Sequence, residues 1–208
     1  LEQGATKEVI LEGKFYSFVV EELSGNCFFE ASYGEESSRS KAFELSNTID
    51  ITAITQGIIF SPGESIKLSG TASKKNGVQS NGTAEILIDE IDSSTSLNIV
   101  SGKFEGEISL PEKSPSGNYE ILIEAYEKDS SGKKTNQGNF KIPIKIKQVI
   151  RGLEIALLYE NINPEEELTY NGILRDQTGN EIKDEVSLTI YDPSKKIMKK
   201  ELIESGDS

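Results

Sequence analysis

The chain has 208 residues, of which 35 are acidic and 22 are basic, and its formal charge is −13. This charge opposes binding to nucleic acid or to anionic lipid, because both partners are themselves negatively charged. The chain contains no histidine, and Cys27 is its single cysteine, so the usual general base, an imidazole metal site and an intrachain disulfide are excluded.

Apolar and polar residues alternate over most of the chain, which is typical of half-buried antiparallel strands. Between residues 47 and 148 this alternation predicts seven strands separated by turn sequences such as Pro62-Gly63 and Asn76-Gly77. The predicted strands cover 49–58, 66–68, 84–88, 97–99, 104–110, 119–125 and 140–146. Seven short strands in about 100 residues favour an immunoglobulin-like β-sandwich.

Two residues within these strands carry specific expectations. Pro143 has no N–H to give to a sheet, so its strand is expected to lie at an edge or to contain a bulge there. Tyr119 begins the sixth predicted strand, where its hydroxyl is expected to anchor the preceding loop.

The sequence repeats itself at an offset of 102 residues. Glu64 aligns with Glu166 and Gly70 with Gly172, and the alternating apolar residues of 84–88 align with those of 186–190. Near the N-terminus, Gly25-Asn26 matches the sequence at 117–118. We therefore predict one complete seven-stranded module at 47–148, the C-terminal half of a module at 1–46 and the N-terminal half of a module at 149–208.

Half a sandwich leaves one core face and several strand edges uncovered, so each half is expected to have a partner. Two explanations remain open. In the first, the chain is a window from a longer tandem array, and neighbouring modules complete each half. In the second, the C-terminal half of one chain combines with the N-terminal half of an identical chain, which produces a head-to-tail polymer.

The opening of the complete module also resembles a known family. Residues 60–70 read Phe-Ser-Pro-Gly-Glu-Ser-Ile-Lys-Leu-Ser-Gly, and residues 162–172 repeat this pattern as Ile-Asn-Pro-Glu-Glu-Glu-Leu-Thr-Tyr-Asn-Gly. These segments resemble macroglobulin-type (MG2-like) and related bacterial and archaeal surface immunoglobulin-like domains. The resemblance implies an all-β fold of tandem immunoglobulin-like sandwiches of fibronectin III or MG2 type, at the cell surface or outside the cell. The thioester motif of macroglobulins, a cysteine followed by Gly-Glu-Gln, is missing at Cys27, so protease trapping is not implied.

Three acidic residues, Asp89, Glu90 and Asp92, are the candidate ligands for a calcium ion, and the run Glu165 to Glu167 is a second acidic cluster. Neither has the spacing of a known calcium loop, and solvated loop carboxylates are the alternative. No cofactor is otherwise expected.

Other residues with a candidate role are Asn81 and the lysines near the C-terminus. Asn81-Gly82-Thr83 is an acceptor sequence for an N-linked glycan. The lysines at 195, 196, 199 and 200 are expected to guard a strand edge, with an acidic partner as the alternative. Cys27 is interpreted as a buried strand residue rather than a reactive thiol.

These features predict a structural, non-catalytic protein: a tandem module of a cell-surface stalk, adhesin or filament whose partners are neighbouring modules or identical chains. The alternative is a carbohydrate- or protein-binding module of a larger extracellular protein, with a surface protein or glycan as its ligand. Tryptophan is absent, and Tyr16, Tyr33, Tyr159 and Tyr191 are the aromatic residues expected to face outward. The segment contains no run of about 20 apolar residues, so membrane insertion within it is not predicted.

Overall fold

The structure is a computed structural model that describes residues 24–159, 161, 163 and 165–205. The regular secondary structure of the described residues is almost entirely strand, as the alternation predicted, with a short 3-10 turn at Asp89–Ile91. The part of the predicted N-terminal half before residue 24, and Tyr16 with it, lies outside the described residues. The strands are β1 Gly25–Cys27, β2 Glu30–Tyr33, β3 Glu36–Arg39, β4 Phe43–Leu45, β5 Ile49–Thr55, β6 Ile59–Phe60, β7 Ser65–Lys74, β8 Gly82–Ile88, β9 Ser93–Ile99, β10 Lys103–Ser109, β11 Gly117–Lys128, β12 Lys134–Ile146, β13 Ile150–Leu157, β14 Tyr170–Asp176, β15 Glu181–Ile182, β16 Glu185–Tyr191 and β17 Ile197–Glu204.

Strands β5 to β12 form two sheets packed face to face, which we call the central sandwich. One sheet has the order β10-β7-β5, and the other has the order β6-β12-β11-β8-β9. All neighbours pair antiparallel except β6 and β12, which are parallel. The sandwich predicted for this part of the chain is therefore present.

The core of the central sandwich consists of side chains at alternating strand positions, as expected for sheets with one buried face. Most of these side chains are isoleucine, whose branched Cβ suits a pleated surface. The two sheets also approach closely at Gly138, where an added Cβ would collide with the carbonyl oxygen of Ile49. The core residues are Ile49, Ile51, Phe60, Ile66, Leu68, Ala72, Ala84, Ile86, Ile88, Ile99, Phe104, Ile108, Leu110, Ile121, Ile123, Ala125, Ile142, Ile144 and Ile146.

The first predicted strand, 49–58, is wrong as a single element. The chain leaves the three-stranded sheet after β5 and joins the five-stranded sheet as β6, where the N–H of Lys145 donates to Ile58 O at 2.8 Å. Pro143 lies on the same strand as Lys145, two residues before it, where β6 no longer pairs with β12. Strand β12 is therefore not the edge strand that was expected, and no bulge lies at Pro143, but the pairing with the edge strand β6 is confined to Lys145 and Ile146 and does not reach Pro143.

The C-terminal strands β13 and β14 repeat the pairing of β5 and β7. Ile51 pairs with Ala72 and Thr55 with Leu68, while Leu153 pairs with Leu174 and Leu157 with Tyr170, each residue 102 positions later. The internal repeat therefore extends from the sequence to the strand register. The boundaries at residues 47 and 149 remain predictions.

Beyond β14, the C-terminal strands form the sheet β13-β14-β15 and the hairpin β16-β17. Strand β17 was not predicted, because its lysine-rich sequence lacks a clear alternation. Lys199 and Lys200 lie on this strand, which pairs with β16 alone among the described strands. The predicted place at a strand edge is confirmed for these two lysines, whereas Lys195 and Lys196 lie in the turn between β16 and β17.

The N-terminal strands form two short antiparallel pairs, β1 with β4 and β2 with β3. Gly25 pairs with Leu45 and Cys27 with Phe43, just as Gly117 pairs with Ile146 and Tyr119 with Ile144 in the central sandwich. Cys27 thus occupies a strand position equivalent to Tyr119, but it is half-exposed rather than buried.

Candidate functional site at the module joint

Three residues, 147 to 149, separate the central sandwich from β13. A linker this short places the end of the sandwich close to the turn between β14 and β15, which spans residues 177–180. The contacts between this turn and the sandwich form a site that we call the joint.

Gln177 is the central residue of the joint, and its side chain is only 5% exposed. Its Nε2 donates to Ser114 O at 3.1 Å and to Lys147 O at 3.2 Å. Its Oε1 accepts the N–H of Val149 at 2.9 Å. One buried amide thereby connects a loop of the sandwich, the linker and the following turn. Removal of these partners would leave a buried polar group without hydrogen bonds, which lowers the stability of the fold.

The turn that carries Gln177 is held by Asp176, whose Oδ1 accepts the N–H of Thr178 at 2.8 Å, its hydroxyl at 2.7 Å and the N–H of Asn180 at 3.1 Å. This arrangement is an Asx turn, and Gly179 supplies the positive φ that it requires. The hydrogen bond from Thr178, supported by one from Gln148, holds the pKa of Asp176 below its ordinary value. The Asp176 carboxylate therefore stabilises the conformation of the turn that carries Gln177.

The sandwich side of the joint is also anchored. Tyr119 donates its hydroxyl to Pro115 O at 3.0 Å, which confirms the predicted tyrosine anchor. In the same loop, Ser114 is buried and donates its hydroxyl to Pro111 O at 2.8 Å. The carbonyl of Ser114, which accepts the hydrogen bond from Gln177, is therefore part of a loop with a fixed conformation.

A second joint lies before the central sandwich, between β4 and β5, and there the equivalent turn position carries a lysine in an ion pair instead of a buried amide. Lys75 lies 102 residues before Gln177, and its Nζ lies 3.4 Å from Glu44 Oε1 across the joint. The two side chains are 57% and 54% exposed, so water screens their attraction. The same turn position thus faces the preceding strands at both joints, but only the second contact is a buried one.

The predicted site residues do not come together at the joint. Asp89 and Glu90 lie in the 3-10 turn after β8, and Asp92 follows with a φ of 50°. Among residues 24–159, 161, 163 and 165–205, no three His, Cys, Asp or Glu side chains form a group that could hold a metal ion. Calcium at Asp89, Glu90 and Asp92 stays a prediction.

Asn81 and the second acidic cluster also have structural contacts. The Oδ1 of Asn81, an exposed residue, accepts the N–H of Ser101 at 2.8 Å, and its glycosylation stays a prediction. Glu166 accepts the N–H of Asn163 at 2.7 Å, and Glu64 accepts that of Ser61 at 2.8 Å. Glu166 is thus the repeat of a turn-closing glutamate, and this hydrogen bond from Asn163 holds its pKa below the ordinary value.

Sequence reasoning missed Gln177 and Ser114. The sequence Asp176-Gln177-Thr178-Gly179-Asn180 predicts a turn, and glutamine in a turn is usually solvated. The one available signal is the repeat itself, which places Gln177 and Lys75 at the same position beside a joint. Nothing in the local sequence distinguishes a buried amide from an exposed one.

The aromatic residues expected to face outward do so where the structure describes them. Tyr33, Tyr159 and Tyr191 are 92%, 60% and 58% exposed. Tyr33 lies on β2, Tyr191 lies on β16 and Tyr159 follows the end of β13, so the three belong to different elements.

No helix within the described part of the chain is long and apolar enough to cross a membrane. No protein-family model matches the chain, and no curated protein matches it. Among solved structures, domains 4–9 of the surface layer protein SbsC align with 89% of this chain and 36% of that chain, at 12% sequence identity and a TM-score of 0.30. A similarity at this level supports no inference about function, and the macroglobulin-type resemblance remains an expectation.

Proposed function

We propose that this chain is a structural, non-catalytic part of a tandem array of immunoglobulin-like modules, serving as a stalk or filament at the cell surface or outside the cell. The observation that carries this proposal is the joint at Gln177. A buried amide that hydrogen-bonds to the sandwich loop at Ser114 O and to both ends of the three-residue linker, at Lys147 and Val149, limits bending between successive modules. A spacer requires stiff connections between its modules, and domains that move independently do not have them.

Two further properties support the same function. The repeat in strand register means that one type of unit can be added in series, with each unit contacting its neighbours. The formal charge of −13 disfavours nonspecific contact between such units and phosphate-rich surfaces. The proposed partners are accordingly neighbouring modules, either in the same polypeptide or in identical chains.

Small-angle X-ray scattering of the dilute chain tests the proposal. The expected result is an elongated particle, and Gln177→Ala is expected to broaden the distribution of interatomic distances because the joint gains freedom. Gln56→Ala is the matched control, since its amide also donates to a backbone carbonyl, Ser65 O at 3.1 Å, but within the central sandwich. A compact particle, or a joint variant that scatters like the control, would contradict the proposal.

A further inference from the structure

The C-terminal strands expose the side chains that the central sandwich buries. Leu153, Ile155 and Leu157 on β13 are 51%, 53% and 55% exposed. We call these three residues the tail face. Their equivalents on β5 are Ile51, which is 8% exposed, and the half-buried Ala53 and Thr55. The tail face is therefore a row of large aliphatic side chains that lie at inward positions and yet remain about half exposed to solvent. An exposed apolar row of this kind is a candidate surface for interaction.

The central sandwich indicates what kind of segment covers such a face. There, the hairpin β11-β12 lies against β5: the N–H of Gln137 donates to Asn47 O at 2.8 Å, and Gly138 packs directly on the backbone of Ile49. Both strands of this hairpin contact β5, so the segment that covers β5 is the antiparallel hairpin made of the last two strands of the central sandwich.

The chain contains a second hairpin with the same pairing. Strands β1 and β4, which we call the head hairpin, pair Gly25 with Leu45 and Cys27 with Phe43. These pairs correspond to the pairs that join the start of β11 to the end of β12. The head hairpin also exposes apolar surface at Phe43, which is 36% exposed, and the residue that directly follows β1, Phe28, is 50% exposed. Its own equivalents of β5 and β7 are not among the described strands.

We propose that the head hairpin of a second copy docks on the tail face, so that copies of this chain associate head to tail. The proposal rests on the proposed function, because it treats both ends as parts of modules. The two surfaces are different, so each copy keeps one of each kind free and the association continues without closing. Because the apolar contact is small, the association is expected to be weak and to depend on chain concentration.

Sedimentation equilibrium over a wide range of chain concentration tests this inference. The average mass of the wild-type chain is expected to rise continuously with concentration. Phe43→Glu, which blocks the head, and Ile155→Glu, which blocks the tail, are each expected to remain monomeric. Ile54→Glu is the control, because Ile54 is 70% exposed on β5 but faces away from the core, and it is expected to associate like the wild type.

A mixture of the two blocked variants gives the sharpest result. The intact tail of Phe43→Glu and the intact head of Ile155→Glu allow a single contact, so the mixture is expected to stop at dimers. A wild-type mass that stays at one chain overturns the inference, as does a mixture that stays monomeric or grows beyond dimers. Association of Phe43→Glu alone would mean that two tail faces pair with each other, which also overturns it.

Two control measurements separate a folding defect and a failure of the proposed function from a loss of association. Hydrogen exchange of the amides in β8 and β11 must match the wild type in both variants, which establishes that the central sandwich is intact. Failure of head-to-tail association leaves the scattering of the dilute chain unchanged, so the result is distinguishable from a failure of the proposed function.

Discussion

The central sandwich and the C-terminal strands have the same strand register and differ in burial. Ile51 and Leu153 occupy equivalent positions and pair with equivalent residues, yet they are 8% and 51% exposed. The difference lies in the packing of the two strands, because β11 and β12 both pack against β5, whereas the main neighbour of β13 among the described strands is its sheet partner β14. Alternation and pairing therefore determine which side chains face inward, and the covering hairpin determines how much burial stabilises them.

The largest expected effect is on the stability of the central sandwich. Ile51→Ala is expected to lower its free energy of unfolding by about 2–4 kcal/mol, because it removes buried methyl groups and leaves a cavity. Leu153→Ala, at the equivalent position, is expected to cost less than about 1 kcal/mol because the side chain is already half in water. Denaturant unfolding of the two variants measures both effects, and equal losses would contradict the comparison.

The next effect concerns the joint. Gln177→Ala leaves the N–H of Val149 without its acceptor, so its protection against exchange is expected to fall by about 1–3 kcal/mol. Hydrogen exchange measured by NMR should show a faster Val149 amide in this variant and an unchanged one in Gln56→Ala. An unchanged Val149 amide in both variants would mean that the Gln177 amide does not hold the joint.

Acid is expected to weaken the central sandwich through Glu127, which is 9% exposed between its sheets. Burial acts to raise the pKa of Glu127, but hydrogen bonds from Lys74, the Asn81 N–H and Asn136 outweigh it and hold the pKa below the ordinary 4.5. A lowered folded-state pKa stabilises the fold above the unfolded value, and this stabilisation is lost as pH falls through the folded value.

The measurement for Glu127 is the difference in unfolding free energy between the wild type and Glu127→Gln as a function of pH. The wild type is expected to be the more stable at neutral pH, and the difference is expected to shrink as the pH falls below the ordinary pKa of a glutamate. A difference that is constant or grows on acidification would contradict the assigned sign.

The smallest expected effect is at the first joint. Lys75→Ala removes an exposed ion pair with Glu44, so it is expected to cost less than about 1 kcal/mol. The cost is also expected to vanish at high salt, because salt screens exposed charges. Exchange rates of amides in β4 at low and high salt measure it, and an effect as large as that of Gln177→Ala would contradict the contrast between the two joints.

Much of the fold was predictable because period-two alternation depends only on which side chains face the core. The repeat at an offset of 102 residues carries over to the strand pairing, since Leu153 pairs with Leu174 as Ile51 pairs with Ala72. The crossing of the chain from β5 to β6 was not predictable. It depends on the parallel pairing of Ile59 with Lys145, a residue distant in sequence.

The candidate site was less predictable than the fold. Asp176 could be assigned to a turn because Asp, Thr and Gly at this spacing satisfy the hydrogen bonds of a turn locally. The burial of Gln177 depends on Ser114, a residue of another loop that only the folded chain brings near. Edge strand β9 was likewise predicted too short, because Ser93 to Ser96 carry no apolar alternation.

The stiffness of the second joint is the central claim, and residual dipolar couplings test it most directly. They are best measured on Ile155→Glu, in which association of the tail face is blocked. We expect the amides of β5, β7 and β8 and those of β13 and β14 to fit one common alignment tensor, because Gln177 holds the two parts together. Separate tensors of different magnitude for the two sets of strands would mean that they move independently, and would contradict the account.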